Sequence, residues 1–471
     1  MANQSLERLL ESLAGTVTVP GDRMVVQDEK RLPDRMNGLA YEAVFGDLQS
    51  KAAARWLIWE IAQALGIHPA SIHELYIARG RGDCDCQFTV PAINLRMMAY
   101  NSARAVFRAA RKINAGALIF EIARSETSYT DQRPAEYSTS VLAAAIKEGY
   151  RGPVFIQGDH FQAGAKKYAA APEVELKAIR DLIVEAIAAG FYNIDIDTST
   201  LVDLSKPTLE EQQRLNFELC ADLTRFIREH EPKGVTISIG GEIGEVGTKN
   251  STPEDLHTFM RGYNDSRGGV AGISKISIQT GTSHGGVVLP DGTLANVAID
   301  FDVLRMISEL ARKEYGLGGA VQHGASTLPD SAFSKFVEAG ACEVHLATAF
   351  QTLVMDHPAV PESLKRDLYD WVLVNAADER KPQDTEAQFV YKSRKKAIAP
   401  FKKHFWTLPE DIAETLGHAL EQQFDLLFDK LAIGGTAELV TKFVHPVGIH
   451  QPMPTAGIKT VKGESVEGLA D

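Results

Sequence analysis

Three histidines close short apolar runs: His160 in PVFIQGDH, His284 in ISKISIQTGTSH and His323 in GGAVQH. Small or acidic residues flank each one: Gly158-Asp159 before the first, Gly285-Gly286 after the second, Gly324-Ala325-Ser326 after the third. Imidazole is the commonest protein ligand for zinc and similar metals. Three protein ligands with one position open is the pattern of a catalytic zinc rather than a structural one. Any one of these histidines alone reads as a satisfied core residue. Their recurrence in three equivalent places points instead to a metal centre. Asn94, Asp159, Asp195, Asp197, Glu242 and Thr348 fall at the ends of similar runs. A metal ringed by such groups can polarise a carbonyl, and a carboxylate beside it can move a proton to or from a substrate hydroxyl. Glu242 serves either as a fourth ligand or as an outer partner of a histidine. The turn glycines Gly285, Gly286 and Gly324 let backbone amides approach an anion. A helix expected to open at Ser326 points its N–H groups the same way, which suits a phosphate.

The elements that must position these residues show as alternating patterns from about residue 86. Short apolar runs at 88–94, 117–123, 153–159, 192–197, 235–243, 273–281, 319–324 and 342–348 read as strands. Amphipathic helices separate them, such as Ser102–Ile113, Glu173–Ala189 and Leu209–His230. Thr252-Pro253-Glu254-Asp255 has the order of a helix start: a capping Thr, Pro at the first position, then acids on the positive end of the dipole. Eight strands alternating with helices predict an α/β chain folded as a (β/α)8 TIM barrel, in which all strand carboxyl ends share one rim. The organisation expected is an N-terminal helical extension over 1–85, the catalytic barrel over 86–360, and C-terminal helices with an extended tail over 361–471. In the extension, Leu6, Leu9, Leu10 and Leu13 mark one helical face, as do Trp56, Ile58, Trp59, Ile61 and Leu65. Nothing in that stretch signals chemistry.

Composition narrows the partners. The 471 residues carry 49 Lys+Arg against 62 Asp+Glu, a formal net charge of -13, which repels nucleic-acid backbones. A local pocket can still take a sugar phosphate. The four cysteines make no disulfide framework, and Cys84 and Cys86 read as reduced thiols near a strand start. MANQSLERLLESLAG lacks the apolar core of a signal peptide, and no apolar run approaches the length of a membrane span. The expectation is a soluble, cytoplasmic protein.

The segments FTVPAIN, GPVFIQGDH, IDTS, GGEIGEVG, IQTGTSHG, VQHGAST and VHLAT together resemble the class II, metal-dependent fructose-bisphosphate and tagatose-bisphosphate aldolases. The resemblance runs from about 86 to 356 and more weakly to about 435. It implies that His160, His284 and His323 hold Zn2+, and that Asp159 serves the C4 hydroxyl as the C3–C4 bond breaks. Gly285, Gly324, Ser326 and Thr348 would hold the dihydroxyacetone-phosphate end. Arg394, in YKSRKK, would reach a distal phosphate across a homodimer or larger homo-oligomer. This chain also departs from the pattern. A shortened loop at 248–251 lacks the family's usual proton-moving Glu, leaving Glu245 as the substitute. His345 replaces an Asn that touches the enediolate, Ala325 replaces a Gly of the phosphate loop, and either Ala123 or Arg124 stands where a Ser is usual.

Three functions are therefore weighed. The first is a zinc-dependent aldolase cleaving a ketose phosphate to dihydroxyacetone phosphate and an aldehyde. The second is a ketose C4-epimerase that cleaves, rotates the aldehyde and re-adds it. The third is a non-catalytic aldolase subunit, against which the intact Asp159 and histidines speak.

Overall fold

The computed structural model describes residues 4–21, 23–84, 87–244, 249–281, 289, 299–455, 457–458, 463–467 and 469. All eight expected strands form: Val90–Asn94, Ile119–Ala123, Gly152–Gln162, Asn193–Asp197, Ser238–Glu242, Lys275–Ile278, Ala320–Gln322 and Glu343–Leu346. Each pairs in parallel with its sequence neighbour, and the eighth pairs with the first through His345 and Ala92, so the barrel closes. Almost every strand residue is buried, because helices cover the outside while the inward side chains fill the interior. The (β/α)8 TIM barrel is thus the observed fold.

Local chemistry explains the helix boundaries. Thr208 caps Leu209–His230 and Thr252 caps Pro253–Ser266, each in a reciprocal capping box with the acid three residues on. The helix expected to open at Ser326 does not form. Residues Ala325–Thr327 and Asp330–Ala332 are single 3-10 turns, and the helix Ser334–Glu338 is short. Pro329 is the physical reason: it forces Leu328 into extended backbone, with ψ 152°, and supplies no N–H.

One continuous apolar core runs from Leu6 through the barrel to Val444. Burying each large aliphatic or aromatic side chain contributes about 1.5–3 kcal/mol. An additional strand, Ile67–Ala70, pairs with the start of the third barrel strand and ties the N-terminal helices to the sheet. The tail after Val444 has no helix or strand up to residue 455. It lies along the helix Leu48–Ala64, where Trp56 and Trp59 donate to the Gln451 and Ile449 carbonyls and His450 pairs with Glu60. Cys84 is disulfide-bonded rather than a free thiol, whereas Cys220 and Cys342 are free and buried. Among the described residues no helix is long and apolar enough to cross a membrane.

Candidate active site at the barrel mouth

Side chains alternate along a strand, so residues two apart face the barrel interior together. That parity sends Glu121 and Ala123, Gln157 and Asp159, Asp195 and Asp197, Glu343 and His345 inward. His160 has the wrong parity to join them, and a bulge corrects it. Gly158 pairs with Ile194, but the next pair is Phe161 with Ile196, so one extra residue is inserted in the third strand. His160 takes the strained left-handed conformation, φ 39°, inside that bulge. Gly158 is required there, because a Cβ would lie 2.4 Å from the Phe161 ring. The sequence Gly-Asp-His is thus a backbone device that turns two consecutive polar side chains to one place.

At the mouth the rings of His160, His323 and His345 form a column, with centroids 4.2 Å and 4.0 Å apart. All three are buried. His160 directs Nδ1 to Asp197 Oδ2 at 3.2 Å and Glu242 Oε2 at 3.4 Å, and Nε2 to Asp159 Oδ1 at 3.9 Å. Burial alone would lower the basicity of His160, but Asp159 and Glu242 outweigh it and hold its pKa well above the ordinary value. His323 Nε2 lies 3.0 Å from the Ser277 hydroxyl. Donor atoms of Asp159, His160 and His323 fall within 4.8 Å of one another, as do those of His160, Asp197 and Glu242.

Below the mouth lies a charged interior. The Lys275 ammonium reaches Asp195 Oδ2 at 3.0 Å, Gln157 Oε1 at 2.7 Å and Glu343 Oε1. Gly240 leaves the space for this, since a Cβ would meet Asp195 Oδ1 at 2.4 Å. His345 Nε2 is 2.8 Å from Glu343 Oε1, and its Nδ1 is 2.9 Å from Glu121 Oε2 and 3.2 Å from Asp159 Oδ1. Tyr76, from the N-terminal helix His73–Arg81, donates its hydroxyl to Glu343. Two acids respond oppositely to this setting. Burial, with Asp159 adding to it, pushes Glu121 up to about 8. Burial also disfavours the Glu343 anion, but Lys275 and His345 hold it well below the usual range. Lys275→Met should therefore lower stability by about 3–5 kcal/mol, because two buried carboxylates lose their ammonium. Denaturant unfolding reads this directly, and an unchanged midpoint would refute the ammonium's role.

The mouth gathers Asp159 and His160 from the third strand, Glu242 from the end of the fifth and His323 from just after the seventh. His284, Gly285 and Glu245 lie outside the described residues. Asn94 is bound to Glu126, 2.5 Å away, and Glu126 in turn pairs with Arg96. Ser326 accepts the Ala347 amide, and with Thr348 it lines a cavity of about 340 Å³ beyond Gly324, whose φ is 69°. Arg394 is buried against Asp356, 2.6 Å away, and Thr352, and stacks on Tyr391. Arg124 is fully committed to Glu175, Glu464 and the Gln162 carbonyl. Sequence reading missed Glu121, Lys275 and Glu343, and noted His345 only as a departure. Their signal was a charged residue inside an apolar run at the inward parity, as in ALIFEIA, SKISI and CEVHLAT. Tyr76 gave no signal.

The model of the family described as fructose-bisphosphate aldolase class-II matches residues 85–405. Three solved structures are similar at low identity. Fructose-bisphosphate aldolase from Campylobacter jejuni is 16% identical, with 79% of this chain and 97% of that one covered and a TM-score of 0.46. The YdjI aldolase from Escherichia coli K12 is 16% identical over 71% of this chain and 97% of that one, with a TM-score of 0.41. Fructuronate-tagaturonate epimerase UxaE from Cohnella laeviribosi is 12% identical over 82% of this chain and 86% of that one, with a TM-score of 0.54. No curated protein sequence matches the chain.

Proposed function

The chain belongs to the class II fructose-bisphosphate aldolase family, a family of aldolase-type lyases, and on that premise we propose that it reversibly cleaves the C3–C4 bond of a ketose phosphate with a divalent metal ion at the barrel mouth. The observation that carries this reading is the convergence of Asp159, His160 and His323 within 4.8 Å. Two imidazoles with buried carboxylates around them fit a zinc-like ion by donor chemistry. His160 and His323 would hold it, with His284 completing the set. Glu242 and Asp197 grip His160 Nδ1 and orient the ring, the usual duty of an outer carboxylate. A bound ion supplies Lewis-acid polarisation of the substrate carbonyl.

The chain's own groups do the rest. Asp159 takes the C4 hydroxyl proton as the C3–C4 bond breaks. C4 leaves as an aldehyde carbonyl, and the electron pair stays on the three-carbon fragment. Ser326 and Thr348 line the cavity assigned to that fragment's phosphate. In cleavage a second acid must protonate the fragment at C3. Residues 243–252 offer only Glu245 for this.

That shortage favours one second reading, C4-epimerisation. Here the aldehyde turns and re-adds, Asp159 returns its proton, and no acid need protonate carbon. An NMR assay of the zinc-loaded protein with ketose phosphates and free ketoses separates the readings. Triose products are the expected result. A new ketose epimer in their place would establish the second reading, and neither product would mark a non-catalytic subunit.

A further inference from the structure

We propose that Glu121, Asp159 and His345 form a second divalent-cation position inside the barrel, adjoining the histidine pair at the mouth, with Asp159 bordering that pair rather than ligating its ion. The proposal rests on the reading of the mouth as a metal centre. The three residues come from the second, third and eighth strands, and their donor atoms lie within 4.8 Å of one another. His345 Nδ1 stands 2.9 Å from Glu121 Oε2 and 3.2 Å from Asp159 Oδ1. Those separations match the edges of a coordination shell whose bonds are about 2.0–2.2 Å long.

The two sides of His345 differ in what compensates their acids. On the Nε2 side, Glu343 and Asp195 share the Lys275 ammonium. On the Nδ1 side, Glu121 meets only the Gln157 amide and the His345 ring among the described residues, with no lysine or arginine. A second, independent sign is Glu121 Oε1, which has no hydrogen-bond partner although the residue is 1% exposed. Such an atom is costly to bury unless something binds it. The Gln157 amide, 3.0 Å from Oε2, orients the carboxylate as an outer partner would. Imidazole with two carboxylates suits manganese or zinc.

The test is metal stoichiometry on the full chain, stripped with a chelator and reloaded with Zn2+ alone or Mn2+ alone. Elemental analysis should find two equivalents in the unaltered protein and one in His345→Asn, with the circular dichroism spectrum unchanged. Glu121→Gln, a gentler change, should weaken the second equivalent by about tenfold or more in a calorimetric titration. His160→Ala should remove the other equivalent. A single equivalent in the unaltered protein, lost in His160→Ala and kept in His345→Asn, would overturn this inference and leave the proposed function standing. Two equivalents surviving in both His345→Asn and Glu121→Gln would overturn it as well. No bound metal in any form would overturn both readings.

Discussion

Alanine at His160 or at His323 should abolish turnover and empty the mouth of its metal. Each imidazole is one of few ligands, and losing an outer-shell partner alone already costs about 10–100-fold in metal affinity. Removing a direct ligand should cost at least that much. The variants should still fold, because both side chains leave the ends of strands whose apolar neighbours stay packed. His160→Ala carries an extra burden, since Asp197 and Glu242 lose the ring that both contact. Its melting temperature should therefore fall further than that of His323→Ala, whose ring has a neutral hydroxyl beside Nε2. Zinc content and steady-state turnover measured together decide the matter. Full zinc occupancy with normal turnover in either variant would remove that histidine from the centre.

The barrel was legible in the sequence because its signals are redundant. Eight apolar runs at regular spacing, divided by capped amphipathic helices, admit few other arrangements. The Asp159-His160 pair was legible as a motif, yet its geometry was not. Parity along an ideal strand would have turned the two side chains to opposite faces, and only the bulge held open by Gly158 brings them together. The helix expected at Ser326 failed for a comparable reason. A capping pattern describes local preference, and Pro329 two residues after Thr327 overrode it. The charged interior was the larger omission. Glu121, Lys275 and Glu343 sit inside apolar runs where a sequence reading treats a charge as an edge or an error. Their meaning depends on three strands meeting across the barrel, which is non-local information. Tyr76 shows the same limit in the extension, where residues that carry no motif still complete the interior through one hydroxyl.

Asp159→Asn should separate metal binding from chemistry. The amide keeps the shape of the side chain but takes no proton at neutral pH. At the mouth His160 and His323 are unchanged, so the equivalent of zinc held there should remain. Turnover should fall by about a hundredfold or more, the usual contribution of a positioned proton carrier. The contrast with His160→Ala is the useful quantity, since that variant loses turnover through lost metal and this one loses it with metal in place. Two outcomes would redirect the assignment. Near-normal turnover would move the proton to another carboxylate, and Glu242 is the next to consider because it touches His160 from the opposite side. Loss of all zinc along with turnover would make Asp159 a principal ligand at the mouth rather than the proton carrier. The geometry favours separation: Asp159 Oδ1 stands 3.9 Å from His160 Nε2, so the carboxylate borders the ring without gripping it, whereas Asp197 and Glu242 do the gripping on the far nitrogen.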